Sequence, residues 1–203
     1  MQDGGRLLDW NVPESPGAVL MTRQYVPENT ANTMLAKDLK GLGVEAVDTL
    51  TLKRTKVEQP RADAYSYLSD GLGHVRIMGL LGQNSRGYAG SKIEYRYRRK
   101  DSKVWEVLGT LDTVATKGSG FEPMAVDPVG DRVFGFDDKN GFRALFSIAL
   151  DGSMKREMIL GRDDVDIDEL ITIGRSARVV GASYATEKRS AQYFDPELVK
   201  LAT

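Results

Sequence analysis

A chain of 203 residues, 41% hydrophobic and 28% charged, is long enough to bury a sizeable core, and its composition excludes a disordered or collagen-like segment. Its formal net charge of -1 provides no long-range field to attract nucleic acid or an anionic membrane, so general nucleic-acid binding is disfavoured. With no cysteine there are no disulfides, no thiolate nucleophile and no thiolate metal ligand, and the redox compartment stays open between cytosol and periplasm.

The opening Met1 to Trp10 has no basic stretch followed by an apolar core, and no window approaches the roughly 18 consecutive apolar residues of a spanning helix. Neither a signal peptide nor a membrane span is predicted. The chain enters a strand-like run almost at once and stops within Glu197 to Thr203 without a closing turn, a pattern expected of a piece of a longer chain.

Arg6 to Trp10 reads as a short first strand, Pro13 to Gly17 as a turn cluster, and Ala18 to Tyr25 as the returning strand. Ala31 to Leu39 fits a strand or a helical turn, terminated by Gly41-Leu42-Gly43. Val44 to Leu52 reads as a strand, Lys53-Arg54 as a turn and Thr55 to Glu58 as its partner, with Gln59-Pro60 closing this first unit.

A second unit begins at Ala64 to Ser69, turns at Asp70 to Gly73 and returns along Val75 to Leu81. Gly82 to Ser91 reads as a surface loop, Ile93 to Arg99 as a strand with Ile93, Tyr95 and Tyr97 on one face, and Val104 to Leu111 as its partner. The run Thr116 to Gly120 leads into the clearest unit, Glu122 to Arg162. There Pro123 to Asp127, Arg132 to Asp137, Phe142 to Leu150 and Lys155 to Leu160 are strands, joined by turns at Val129 to Asp131, Asn140-Gly141 and Asp151-Gly152. A fourth unit holds Glu169 to Ile173, Arg178 to Thr186 and Ala191 to Phe194, after which the pattern turns helical beyond Asp195-Pro196.

A four-stranded meander exposes an apolar face that it cannot bury alone, so units of this kind pack on neighbours of similar build. Unit starts near Arg6, Ala64, Pro123 and Glu169 follow the spacing of propeller blades. The expected fold is all-β, a partial β-propeller of about four antiparallel four-stranded blades over 6–60, 64–115, 122–162 and 169–203, the last incomplete. A β-sandwich is the competing architecture and favours long crossing connections over hairpins. Open blade faces also predict self-association or marginal stability.

The run Gly174 to Arg189, followed by Tyr193-Phe194-Asp195-Pro196-Glu197-Leu198, resembles the propeller part of bacterial serine peptidases of the prolyl oligopeptidase family, the dipeptidyl and acylaminoacyl peptidases. Val57 to Pro60 and Val75 to Gly79 fit the same picture. The resemblance implies a non-catalytic role in which the propeller gates and orients peptide substrate for an α/β-hydrolase domain that supplies the serine, aspartate and histidine. No motif of that domain is found in this chain, and no catalytic residue is carried across. A propeller serving as a protein-binding or scaffold module is the alternative, since one fold hosts both roles.

The candidate chemistry within the chain is weak. Gly181-Ala182-Ser183-Tyr184-Ala185 approximates a nucleophile elbow, but the fifth position is Ala and the flanks continue a strand, so Ser183 reads as a strand residue. His74 is the sole histidine and sits where a turn ends, a place for a solvated or backbone-bonded ring. One histidine and no cysteine make a zinc site improbable. Asp164, Asp166 and Asp168 alternate like calcium-loop ligands, yet Glu169 and Arg175 stand where glycine and glutamate are required, so a solvated acidic loop is the better account and a metal-dependent hydrolase only a third possibility. Tyr95 to Lys100 interleaves aromatics and cations, as a strand with tyrosines inward and arginines outward also must. Gly82 to Lys92 has the wrong order for a phosphate loop. No catalytic, cofactor-binding or metal-ligating residue is therefore assigned, and no cofactor is expected.

Overall fold

The computed structural model describes residues 5–27, 39–83, 89–114 and 119–201. These residues form an all-β partial propeller of four antiparallel sheets, the last with three strands. The first sheet holds β1 (Leu7–Asp9), β2 (Ala18–Tyr25), β3 (Gly41–Asp48) and β4 (Arg54–Arg61). The second holds β5 (Ala64–Ser69), β6 (Val75–Gln83), β7 (Ala89–Tyr97) and β8 (Glu106–Asp112). The third holds β9 (Glu122–Asp127), β10 (Arg132–Lys139), β11 (Phe142–Ala149) and β12 (Arg156–Leu160), and the fourth β13 (Ile167–Ile173), β14 (Arg178–Ala185) and β15 (Arg189–Tyr193), followed by the short helix α1 (Pro196–Leu201). Spatial order equals chain order in every sheet, so each is a meander.

Several local expectations are corrected. Gly41-Leu42-Gly43, read as punctuation, lies within β3, where Gly41 pairs with Tyr25. A Cβ on Gly41 would fall 1.9 Å from the Arg61 carbonyl oxygen, at a φ of +101°, so glycine is there for close backbone approach. β3 ends at Asp48, four residues earlier than its pattern reads, because the Asp48 carboxylate accepts hydrogen bonds from the amides of Leu50 (2.9 Å) and Thr51 (2.7 Å) and builds the turn there. β4 runs through Pro60 to Arg61, which a proline tolerates on the outermost strand of a sheet. β6 and β7 extend into the segment expected to be a loop, to Gln83 and from Ala89. Residues 31–38 of the Ala31 to Leu39 segment, 84–88 of the following loop and 116–118 of the low-complexity run lie outside the described residues.

Side chains alternate between two faces along a strand, and here both faces of the inner sheets are buried. In β6, Ile77 enters the core between the second and third sheets, while its neighbour Met78 enters the core between the first and second. In β10, Val133 joins the former core, and Phe134 and Phe136 join a third one with Ile167 and Ala182 of the fourth sheet. Three cores between four sheets in series distinguish this array from a sandwich, which has one core between two sheets.

Charged bridges cross the same seams. Arg76 of β6 is 1% exposed; its Nε donates to the Arg98 carbonyl (2.9 Å) and its Nη2 to Asp131 Oδ1 in the β9–β10 turn (2.6 Å). Arg98 pairs with Glu58 of β4 and stacks over Trp105 at 3.9 Å. Lys139 reaches Asp163 at 2.9 Å, and Arg143 donates to the Asp168 carbonyl at 3.1 Å, across the last seam. Removing one partner of a buried pair strands the other charge in a dry site. Asp131→Asn, which keeps a side chain tolerant of the local φ of +45°, is expected to cost about 3 kcal/mol in urea unfolding. The double variant Arg76→Met with Asp131→Asn should regain most of that loss; additive losses would show that the pair is not coupled.

Glu45 of β3 is 3% exposed and accepts from the Tyr25 hydroxyl, Arg23 Nη1 (3.1 Å) and Arg54 Nη1 (2.9 Å). Burial acts to raise its pKa, but the hydrogen bonds from Tyr25, Arg54 and Arg23 outweigh burial and hold it below the usual carboxylate value. Burial, reinforced by Glu45, pushes the Tyr25 phenol up to about 12. A carboxylate whose folded pKa is depressed contributes stability that is present above its unfolded value and lost as pH falls through the folded one. Glu45→Gln should therefore cost about 1–3 kcal/mol at pH 7 and flatten the loss of stability below about pH 4.5. Acid limbs of equal steepness in the two proteins would refute this origin.

Candidate functional site

Each sheet carries its first strand at one edge, and β1, β5 and β9 lie against one another in sequence around the axis. Strand-edge backbone groups that no neighbour pairs remain available for hydrogen bonding. Between these edges lies a cavity of about 580 Å³, within the size range that takes small ligands. Leu7 to Trp10, Tyr65 to Ser69 and Met124 to Val126 line it, with Arg6 at its rim.

The lining is assembled by backbone that the neighbouring sheet holds. Arg6 extends the β1 ladder, its carbonyl accepting from the Thr22 amide at 2.9 Å and its amide donating to Thr22 Oγ1 at 3.1 Å. Asp9, 4% exposed, accepts from the Asn11 amide (3.0 Å) and from the Gly73 amide of the second sheet (2.8 Å). Ser69 Oγ donates to the Leu8 carbonyl at 3.1 Å, and the Tyr67 hydroxyl to the Leu42 carbonyl at 3.3 Å. Burial pushes the Tyr67 phenol up to about 12, so it stays a neutral donor. Trp10 (59%), Tyr65 (56%) and Met124 (41%) remain largely uncovered although they are large and apolar.

The fourth sheet also contributes. Its hairpin turn, residues 174–177, brings Arg175, Ser176 and Ala177 to the cavity. Ser176 stands over Gly71 in the β5–β6 turn so closely that a Cβ on Gly71 would fall 2.4 Å from the Ser176 carbonyl oxygen.

The residues singled out in the sequence do not assemble a reaction centre. Ser183 sits in mid-β14, 8% exposed, and accepts from Arg189 Nη1 at 3.3 Å. His74 is not merely solvated: its Nδ1 lies 3.1 Å from Oδ2 of Asp70, a carboxylate 2% exposed that also accepts from the amides of Leu72 and His74. No hydrogen bond joins a described serine to that ring. Asp164 pairs with both nitrogens that Arg162 turns toward it (2.8 and 2.7 Å), and Asp166 accepts from the Arg143 amide at 2.7 Å. Asp168 Oδ2 lies 3.1 Å from Arg189 Nη1, near enough for charge pairing but without hydrogen-bond alignment. Among the described residues, no group of three or more His, Asp or Glu is placed to hold a metal ion.

Tyr95 and Tyr97 are buried at 6% and 1%, while Arg96, Arg98 and Arg99 pair with Glu94, Glu58 and Glu106, so no face of stacked aromatics and free cations is presented. A second cavity of about 250 Å³ is lined by Glu122, Phe136, Asp137, Asp138, Arg143 and Asp166, among others. Arg143 closes its own bonds there, lying 3.7 Å over Phe136 and 3.2 Å from Glu122.

Arg6, Trp10, Tyr65, Met124 and Arg175 carry no motif. The signal for all but the last was positional: each lies in or next to the first strand of a unit, the strand nearest the axis in a propeller. No family model matches the chain, and neither a curated protein nor a solved structure matches it.

Gly71→Ala should cost about 1–3 kcal/mol, because it combines a backbone φ of +72° with the clash on Ser176. The exposed neighbour Leu72→Ala should change stability by less than about 0.5 kcal/mol. Equal values for the two in denaturant unfolding would mean that the turn is not seated on Gly71.

Proposed function

We propose that this chain is the non-catalytic propeller part of a serine peptidase of the prolyl oligopeptidase family, and that it admits and orients peptide for an α/β-hydrolase domain. The observation that supports this reading is the convergence of three sheet-edge strands on one cavity lined with exposed tryptophan, tyrosine and methionine. Edge strands bind extended peptides through the main chain, and apolar pockets alongside them choose the side chains. The partner of such a module is a peptide, together with the domain that cleaves it. The end sheets of the array supply the surfaces on which further modules or a second copy associate.

The same cavity also suits a binding module with no hydrolase attached, since one fold hosts both roles. The two separate on the parent open reading frame, where a G-x-S-x-G followed by aspartate and histidine belongs only to the peptidase.

The purified chain is expected to release no chromophore from aminoacyl or dipeptidyl anilides, and turnover that disappears in Ser183→Ala would overturn the non-catalytic role. Extended peptides should quench or shift the fluorescence of Trp10 in a saturable way, and Trp10→Phe should remove that response while leaving Trp105 emission. A flat calorimetric titration with every peptide tried would reject the peptide reading.

A further inference from the structure

We propose that the axial cavity selects its peptide by a carboxylate, which Arg6 and Arg175 receive. The inference deepens the peptide reading and rests on it. Arginine is a permanent cation with five donors in a fixed fork, matched to a carboxylate. In this fold its partners are almost always supplied from within. Among the described residues, every arginine other than Arg6 and Arg175 lies in an ion pair with Asp or Glu. Among the described residues, the side chains of these two hold no hydrogen bond, ion pair or ring contact. Both line the axial cavity, one from the rim of the first sheet and one from the turn of the fourth.

The charge of that cavity follows. Asp9 is the one acidic residue among the described lining residues, and both of its oxygens accept from backbone amides. A chain that carries -1 as a whole thus places a local positive excess at the axis, beside the apolar Trp10, Tyr65 and Met124. The second cavity has the reverse balance, four carboxylates around Arg143, and its arginine is already paired. A peptide with an aromatic or aliphatic residue for the apolar wall and a carboxylate for the arginines satisfies everything the lining leaves open. That carboxylate belongs either to the peptide's C-terminus or to an Asp or Glu side chain.

The test is calorimetry on the full chain at low salt with three peptides. The first is an apolar and aromatic pentapeptide as free acid, the second is its C-terminal amide, and the third is that amide with a central glutamate. The acid is expected to bind about tenfold more tightly than the amide. Arg6→Gln and Arg175→Gln should each remove most of that difference. Neither side chain holds a partner among the described residues, so both variants should keep the wild-type unfolding midpoint. Tightening by the internal glutamate assigns the carboxylate to a side chain, and binding at the level of the plain amide assigns it to the C-terminus. Added salt should close the gap, because both arginines are exposed. Equal affinity for acid and amide, or a difference that survives both substitutions, overturns the inference and leaves peptide binding standing. Failure of all three peptides to bind overturns the peptide reading first and the inference with it.

Discussion

A guanidinium withdrawn from water between two sheets, and answered by a carboxylate on the far one, is the constraint around which this array is organised. Apolar cores hold sheets together without fixing their angle, because burial is non-directional. Arg76 adds direction: its Nε reads the Arg98 carbonyl within its own sheet while its Nη2 reads Asp131 on the next. Its Nη1 is buried without a hydrogen-bond partner among the described residues, so the bridge is not a source of large net stability. It spans the seam between the second sheet and the third with two directional contacts. Arg98 with Glu58 repeats the device between the first sheet and the second.

Much of the fold was legible because hairpins are local. The third unit shows this best, since Asp-Gly and Asn-Gly turns and alternating apolar residues place β9 to β12 within a residue or two of where they lie. Legibility failed where a distant segment decides the local structure. Gly41 looks like a terminator until the Arg61 carbonyl is found against it, and Pro60 looks like a stop until its strand is seen to be the outermost of its sheet. Glu45 in the middle of an apolar strand has no local rationale, because Arg23, Arg54 and Tyr25 reach it from two other strands.

The site was less legible than the fold for the same reason. The motif-like stretches that attract attention, the Ser183 pentapeptide, the acidic run and the Tyr-Arg alternation, are each engaged in holding the sheets. The cavity is built from residues outside those stretches, with three or more from each unit. Their common property appears only in three dimensions, where exposed Trp10 and Tyr65 meet two arginines without an ion pair among described residues that pair every other arginine.

The seating of Ser176 on Gly71 brings the last sheet's hairpin onto the turn of the second, so the cavity wall closes only when segments from opposite ends of the sequence have docked. A guest that touches Arg6, Tyr65 and Arg175 together therefore discriminates the complete array from any partly frayed one. By mass action its occupancy draws the fourth sheet into the cooperative unit, and filling the hollow tightens the assembly that encloses it.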